Sequence, residues 1–130
     1  MSDRFEVVVA AGNLRSDSDT AFDLPHRWTE QGVTVEADFT GAHLLHLSVA
    51  GCVLNDLYRE AANLGIRVDG VRVRASGSFD DRWALTGITY AVEVNSSAPD
   101  EDVARVMAVV DDIAEIPRAI RAGAPVRRIG

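Results

Sequence analysis

The residue best suited to chemistry in this sequence is Cys52, the only cysteine among 130 residues. A thiol becomes a nucleophile when nearby positive charge or a helix N-terminus stabilises its thiolate and a substrate can reach it. If residues 40–65 form a helix, Ser48 and Asp56 lie about 40° from Cys52 around the axis, and Arg59 about 20°. Arg59 would then act across two turns, roughly 10 Å, and Asp56 would oppose it. Free cysteines are also common as small apolar core residues, so a reactive and a purely structural Cys52 both remain open.

The histidines offer a weaker possibility. His43 and His46 are three residues apart, a spacing that can chelate a metal on one helix face. The sequence identifies no third ligand, so we predict no metal site. His43 lies near the predicted helix start, where it could line a pocket or face solvent. The loop residues His26, Arg27 and Trp28 could close over a ligand or form an ordinary solvated loop.

The composition argues against several classes of function. All 13 basic residues are arginine, which excludes Schiff-base and lysine-base mechanisms. The formal net charge of −7 disfavours nucleic-acid and anionic-membrane partners, since phosphate recognition depends on positive charge. No G-x-S-x-G, P-loop or dinucleotide motif is present. A membrane span of about 18 apolar residues and a signal-peptide layout are also lacking. We therefore predict a cytoplasmic protein that needs no cofactor.

The stretch that must position Cys52 is the predicted helix between Thr40 and Gly65. Residues 44–54 carry no charge and place apolar side chains on nearly every side, which predicts a helix that is buried all round. The hydroxyl of Thr40 can cap its first turn, and Gly65 suits the left-handed residue that follows a helix end.

The other elements follow from period-2 and period-3.6 patterns. Apolar runs at 5–10, 21–24 and 33–38 predict a small antiparallel sheet, and 68–75 with 82–94 predict a hairpin. A second long helix should begin at a Ser96 or Ser97 cap with Pro99 in its first turn, and Pro117 should interrupt it. One further turn before Gly123 and a short closing strand or tail complete the prediction. The chain is thus expected to form a single α+β domain over residues 1–130.

This order of elements, together with two motifs, resembles a known family. Residues 44–52, LLHLSVAGC, are similar to the leucine- and alanine-rich run that ends in the reactive cysteine of the OsmC/Ohr proteins, the osmotically inducible and organic hydroperoxide resistance proteins. Residues 64–73, LGIRVDGVRV, are similar to the family's helix exit and following strand. The resemblance covers roughly residues 33–121. It implies an intertwined homodimer in which antiparallel sheets pack around two long central helices, with two equivalent sites at the subunit interface.

The resemblance also implies a chemistry and a set of site residues. In active members one cysteine attacks a hydroperoxide, a second cysteine resolves the sulfenic acid, and an arginine and a glutamate tune the first thiol. Only the first of these positions matches here, at Cys52. The family's Cys-Pro is replaced by Ile116-Pro117, its glutamate falls at His43 or Ala42, and Arg27 is the candidate for its arginine.

Two functions therefore follow as hypotheses. In the first, Cys52 reduces a small organic hydroperoxide and an external thiol restores it. In the second, the protein is a non-redox member whose interfacial pocket, lined by His43, Ser48, Ile116 and Cys52, binds a small apolar molecule.

Overall fold

The computed structural model describes residues 4–130, which form an α+β fold with one antiparallel sheet. This confirms the predicted fold class. The elements in chain order are β1 (Phe5–Gly12), β2 (Phe22–Leu24), β3 (Val33–Glu36), α1 (Gly41–Asn63), β4 (Gly70–Phe79), β5 (Leu85–Asn95), α2 (Asp100–Ile113) and α3 (Glu115–Ala122). None of the helices in the described part of the chain is long and apolar enough to cross a membrane.

The predicted small sheet and the predicted hairpin join into one five-stranded sheet, in the order β2-β3-β1-β4-β5. They join because β1 pairs on both of its edges: Val9 lies opposite Val35 of β3 and opposite Val73 of β4. Alternate residues of these strands therefore share one face and form the sheet's half of the core. The long strand β5 pairs with β4 and forms one edge of the sheet.

The helix α1 packs across β1 and β4 and supplies the other half of the core. Its inward stripe includes Val53, Leu54 and Leu57, none of which is more than 1% exposed. The prediction that this helix is buried all round is wrong for the protomer, because Gly51, Cys52 and other residues on the opposite stripe stay partly exposed. The uncharged run 44–54 therefore supplies both the core-facing stripe and part of a partly exposed one.

Both ends of α1 agree with the sequence prediction. The side chain of Thr40 accepts a hydrogen bond from the backbone N–H of His43 at 3.1 Å, and Gly65 adopts a positive φ of 69°. The predicted serine cap of α2 is wrong. Ser96 Oγ donates to the carbonyl of Arg67 at 2.5 Å and accepts from Ala98 N–H, so it closes the preceding turn and Pro99 takes the cap position.

The second helical segment breaks earlier than its proline predicts. The helix α2 ends at Ile113, and Ala114 leaves the helical region with φ −55° and ψ 121° before α3 begins at Glu115. Pro117 then lies in the first turn of α3, where a missing N–H costs no intrahelical hydrogen bond. The break redirects the chain so that the first turn of α3 contacts α1 at Cys52.

Candidate active site at Cys52

Cys52 opens into a cavity of about 520 Å³ between the exposed stripe of α1, the start of α3 and the loop before β3. The thiol is half-buried, so a small molecule entering the cavity can reach the sulfur. The walls are partly apolar and partly charged, and they are formed by Trp28, Leu47, Ser48, Gly51, Cys52, Asn55, Asp56, Arg59, Glu115 and Ile116.

Polar groups of Asp56, Glu115 and Ile116 lie around the sulfur. Its Sγ lies 3.5 Å from Glu115 Oε2 and 3.8 Å from Asp56 Oδ2, so the thiol proton can be donated to a carboxylate. The backbone N–H of Ile116 points at the same sulfur from 3.5 Å. This N–H belongs to the first turn of α3 and has no partner within that helix, so it is free to stabilise negative charge on sulfur.

Arg59 connects the carboxylates around the thiol. Its Nη2 lies 3.2 Å from Asp56 Oδ1 and 3.1 Å from Glu115 Oε1, and its Nε donates to Glu60 Oε2 at 3.0 Å. From the sequence alone, Arg59 is expected to be a distant charge that Asp56 opposes. In the structure one guanidinium bridges three carboxylates, two of which contact the sulfur.

The protonation states in this cluster depend on one another. Burial raises the pKa of the Cys52 thiol above its ordinary value; the N–H of Ile116 opposes that shift, and the negative charge of Asp56 adds to it. Burial also raises the pKa of Asp56 to about 6, helped by its hydrogen bond with Glu115, while Arg59 acts in the opposite direction. The same hydrogen bond lowers the pKa of Glu115 to about 2. Of the two carboxyls, Asp56 is therefore the one that takes up a proton as the pH falls towards 6.

Two of the predicted pocket residues lie with Cys52 in this cavity. Ser48 is one turn before Cys52, with its hydroxyl donating to the carbonyl of Leu45 at 2.6 Å, and the Ile116 side chain forms an apolar wall. Glu115, next to Ile116, was not identified from the sequence. The sequence feature that could have pointed to Glu115 as a site residue is its position beside the predicted break in the second helix.

Arg27 and His43 lie elsewhere in the protomer. Arg27 lines a neighbouring cavity of about 250 Å³, where its guanidinium carbon is 6.0 Å from the centre of the Trp28 ring. Trp28 borders both cavities. His43 lies at the start of α1, where Nδ1 is 2.6 Å from Thr40 Oγ1, and it faces a separate acidic cavity.

The loop that carries Trp28 is fixed to α1 by a histidine. His26 Nε2 lies 2.9 Å from Asn55 Oδ1, and its Nδ1 lies 2.7 Å from Thr29 Oγ1. Burial lowers the pKa of His26, so the neutral ring is favoured, with Nε2–H donating to Asn55. Because Asn55 lines both cavities, this contact sets where Trp28 closes the wall next to Cys52.

The potential metal-ligating atoms that lie close together in the structure do not belong to His43 and His46. In the described residues the potential ligand cluster is Cys52, Asp56 and Glu115, whose atoms lie within 4.8 Å of one another. His46 is fully buried, and its Nδ1 lies 2.7 Å from the carbonyl of Ala42. Since Arg59 contacts both carboxylates of the cluster, a cation already neutralises this position.

The chain is similar to known proteins in sequence and in fold. A family model described as "OsmC-like protein" matches residues 33–127. Among solved structures, the fold is similar to that of an OsmC-like hydroperoxide resistance protein from Jannaschia sp. CCS1, with a TM-score of 0.61 and 11% sequence identity, over 96% of this chain and 91% of that one. No curated protein sequence matches the chain. At this identity the structural likeness establishes the fold alone.

Proposed function

Because this chain belongs to the OsmC-like protein family, we propose that it reduces small organic hydroperoxides with Cys52 as its single redox-active thiol. The observation that carries the proposal is the N–H of Ile116, which points at Sγ from the first turn of α3 inside an open cavity. A helix N-terminus favours an anion, and a thiolate is the nucleophile in peroxide reduction. The name of the structural neighbour, a hydroperoxide resistance protein, agrees with this chemistry.

The reaction balances with one thiol and an outside reductant. The sulfur attacks the terminal oxygen of R–O–O–H, the S–O bond forms, and the O–O bond breaks to give a sulfenic acid and an alkoxide that is protonated to the alcohol. Sulfur is oxidised by two electrons and the peroxide is reduced by two. An external thiol then condenses with the sulfenic acid and releases water, and a second one releases Cys52 by thiol–disulfide exchange. An external reductant is required because the chain has no second cysteine.

The test is direct trapping of the oxidised thiol. Incubating the purified protein with one equivalent of cumene hydroperoxide and then with dimedone should add one dimedone to the peptide that contains Cys52. Protein first alkylated with iodoacetamide is the control and should gain no adduct. An unmodified Cys52 in excess hydroperoxide would refute the proposal.

We further propose that the chain, acting as one domain, forms the intertwined homodimer expected of the family and works in the cytoplasm, where small thiols are abundant. The protomer exposes 8422 Å², whereas a folded monomer of 14.0 kDa is expected to expose about 6,700 Å². Part of the excess is apolar: Phe39 is 90% exposed and Trp83 67%. The long edge strand β5 also leaves backbone groups available for a second copy.

The dimer can be measured independently of the chemistry. Light scattering coupled to size exclusion should give twice the chain mass of 14.0 kDa at micromolar concentration. A single-chain mass under those conditions would contradict the dimer and leave the thiol chemistry untouched.

One observation favours the second function, a non-redox pocket. Burial raises the pKa of Cys52, so the resting group is a thiol, and the adjoining cavity of about 250 Å³ has apolar walls that include Val9, Val33 and Val35. In this alternative the cavities bind a small apolar molecule beside an unreactive thiol. The trapping experiment separates the two functions, since a binding protein would yield no sulfenic acid.

A further inference from the structure

A buried carboxyl stands one helical turn after the thiol. The Asp56 side chain is only 4% exposed, and its Oδ2 lies 3.8 Å from Cys52 Sγ. Burying a carboxylate is costly unless it is paired, and Arg59 offers one ion pair at 3.2 Å. That guanidinium also serves Glu115 and Glu60, so three carboxylates share one positive charge. The cluster therefore carries excess negative charge, which favours the uptake of a proton.

The position of this proton suits the chemistry at sulfur. The charged and titratable groups that face Asp56 are Cys52 and Arg59 from α1 and Glu115 from α3. Of the two carboxyls, Asp56 is the buried one, and its pKa of about 6 lies close to neutral pH. A group of this kind can accept a proton in one step and release it in the next.

We propose that Asp56 is a second catalytic residue, which takes the proton of the Cys52 thiol and returns it to the alkoxide formed when the O–O bond breaks. This inference rests on the proposed function. Alkoxides are poor leaving groups without a proton, so a hydroperoxide needs both a thiolate and an acid. Asp56 supplies both requirements in sequence: its carboxylate receives the S–H proton, the S–O bond forms as the O–O bond breaks, and the carboxylic acid protonates the departing RO⁻. At the end of the step Asp56 is again a carboxylate and Cys52 is a sulfenic acid.

Three electrophiles that differ in their need for a proton test this role. Cumene hydroperoxide releases an alkoxide, peracetic acid releases acetate, and iodoacetamide releases iodide. Only the first requires a proton on the leaving group. We expect Asp56→Asn to slow the single-turnover reaction with cumene hydroperoxide by about 100-fold. With peracetic acid, the rate of Asp56→Asn should stay within about threefold of the rate of the unmodified protein, because acetate can leave without a proton.

Alkylation by iodoacetamide supplies the internal control for the thiol itself. Since the charge of Asp56 raises the pKa of Cys52, Asp56→Asn should leave alkylation equal or faster at a given pH. Asp112→Asn, at an exposed position of α2, is the matched variant and should leave all three rates unchanged. Asp56→Glu, which retains an acid, should recover part of the cumene hydroperoxide rate and keeps the test available if the asparagine variant does not fold.

The outcomes separate this inference from the proposed function. If the unmodified protein forms no sulfenic acid, the proposed function fails. If the unmodified protein reacts and Asp56→Asn slows all three electrophiles equally, Asp56 does not protonate the leaving group, and the proposed return of the proton to the alkoxide is refuted. An undiminished rate with cumene hydroperoxide in Asp56→Asn would refute it as well.

Discussion

Replacing Cys52 with serine should reduce catalysed consumption of cumene hydroperoxide, in the presence of excess dithiothreitol, to the rate measured without protein. A serine hydroxyl offers no electron pair that a hydroperoxide can oxidise under these conditions, and no other cysteine can take over, because the chain has only one. The loss should therefore be complete rather than partial. Consumption is followed by the remaining peroxide, assayed with ferrous xylenol orange.

The fold should survive this substitution. The serine oxygen is smaller than the sulfur, so it causes no clash, and its hydroxyl can still donate to the carboxylate of Glu115 and accept from the N–H of Ile116. We expect the free energy of unfolding to change by no more than about 1 kcal/mol. Ser48→Ala, one turn away in the same cavity, is the matched control and should retain most of the activity. Residual turnover in Cys52→Ser would show that the chemistry lies elsewhere in the protein.

The central helix could be predicted well from the sequence because its signals are local. A capping threonine, an uncharged run and a terminal glycine fix where α1 begins and ends without reference to the rest of the chain. Its partly exposed stripe could not be predicted, since the same apolar residues suit a core, a cavity wall or a second copy. A hydrophobic pattern indicates that a helix face is apolar, but it does not indicate which part of the protein, or which partner, covers that face.

Long-range pairing explains the remaining errors in the fold. The strand β1 joins two predicted units because it has partners on both edges, and nothing in its own sequence distinguishes one edge from two. Ser96 has the residue type of a helix cap, yet the carbonyl of Arg67, 29 residues earlier, takes its hydroxyl. In the case of Ser96 a tertiary contact outcompeted a local preference.

The site could be predicted only in part, again because a long-range contact completes it. Cys52 and Ser48 share one helix, so their proximity follows from spacing alone. Glu115 is 63 residues from Cys52, and only the break after Ile113 brings it to the sulfur. Without Glu115, Asp56 could only be interpreted as a charge that opposes ionisation. With it, the two carboxyls and Arg59 form a cluster that can hold a proton.

Removing the guanidinium from this cluster should give a large loss of stability that depends on pH. Burial raises the pKa of Asp56 in the folded protein to about 6, and Arg59 restrains that rise. A carboxyl whose pKa is raised by folding stabilises the folded state most below its unfolded pKa of about 3.9 and loses that contribution as pH increases through the folded value. In Arg59→Met the pKa of Asp56 in the folded protein should rise further. The loss of stability relative to the unmodified protein should therefore grow from pH 6 to pH 8.

Urea unfolding at fixed protein concentration measures this effect. We expect Arg59→Met to unfold with nearly the free energy of the unmodified protein at pH 5 and with about 2 kcal/mol less at pH 8, a value below the usual cost of breaking a buried pair because Arg59 is partly exposed. Arg27→Met removes the same charge from an exposed loop and should change stability by less than about 0.5 kcal/mol at either pH. Adding Asp56→Asn to Arg59→Met should abolish the extra pH dependence, since the group that titrates is gone. If the double variant retained that dependence, the charge that Arg59 neutralises would lie on another residue, and Asp56 would not be the proton-holding group of the cluster.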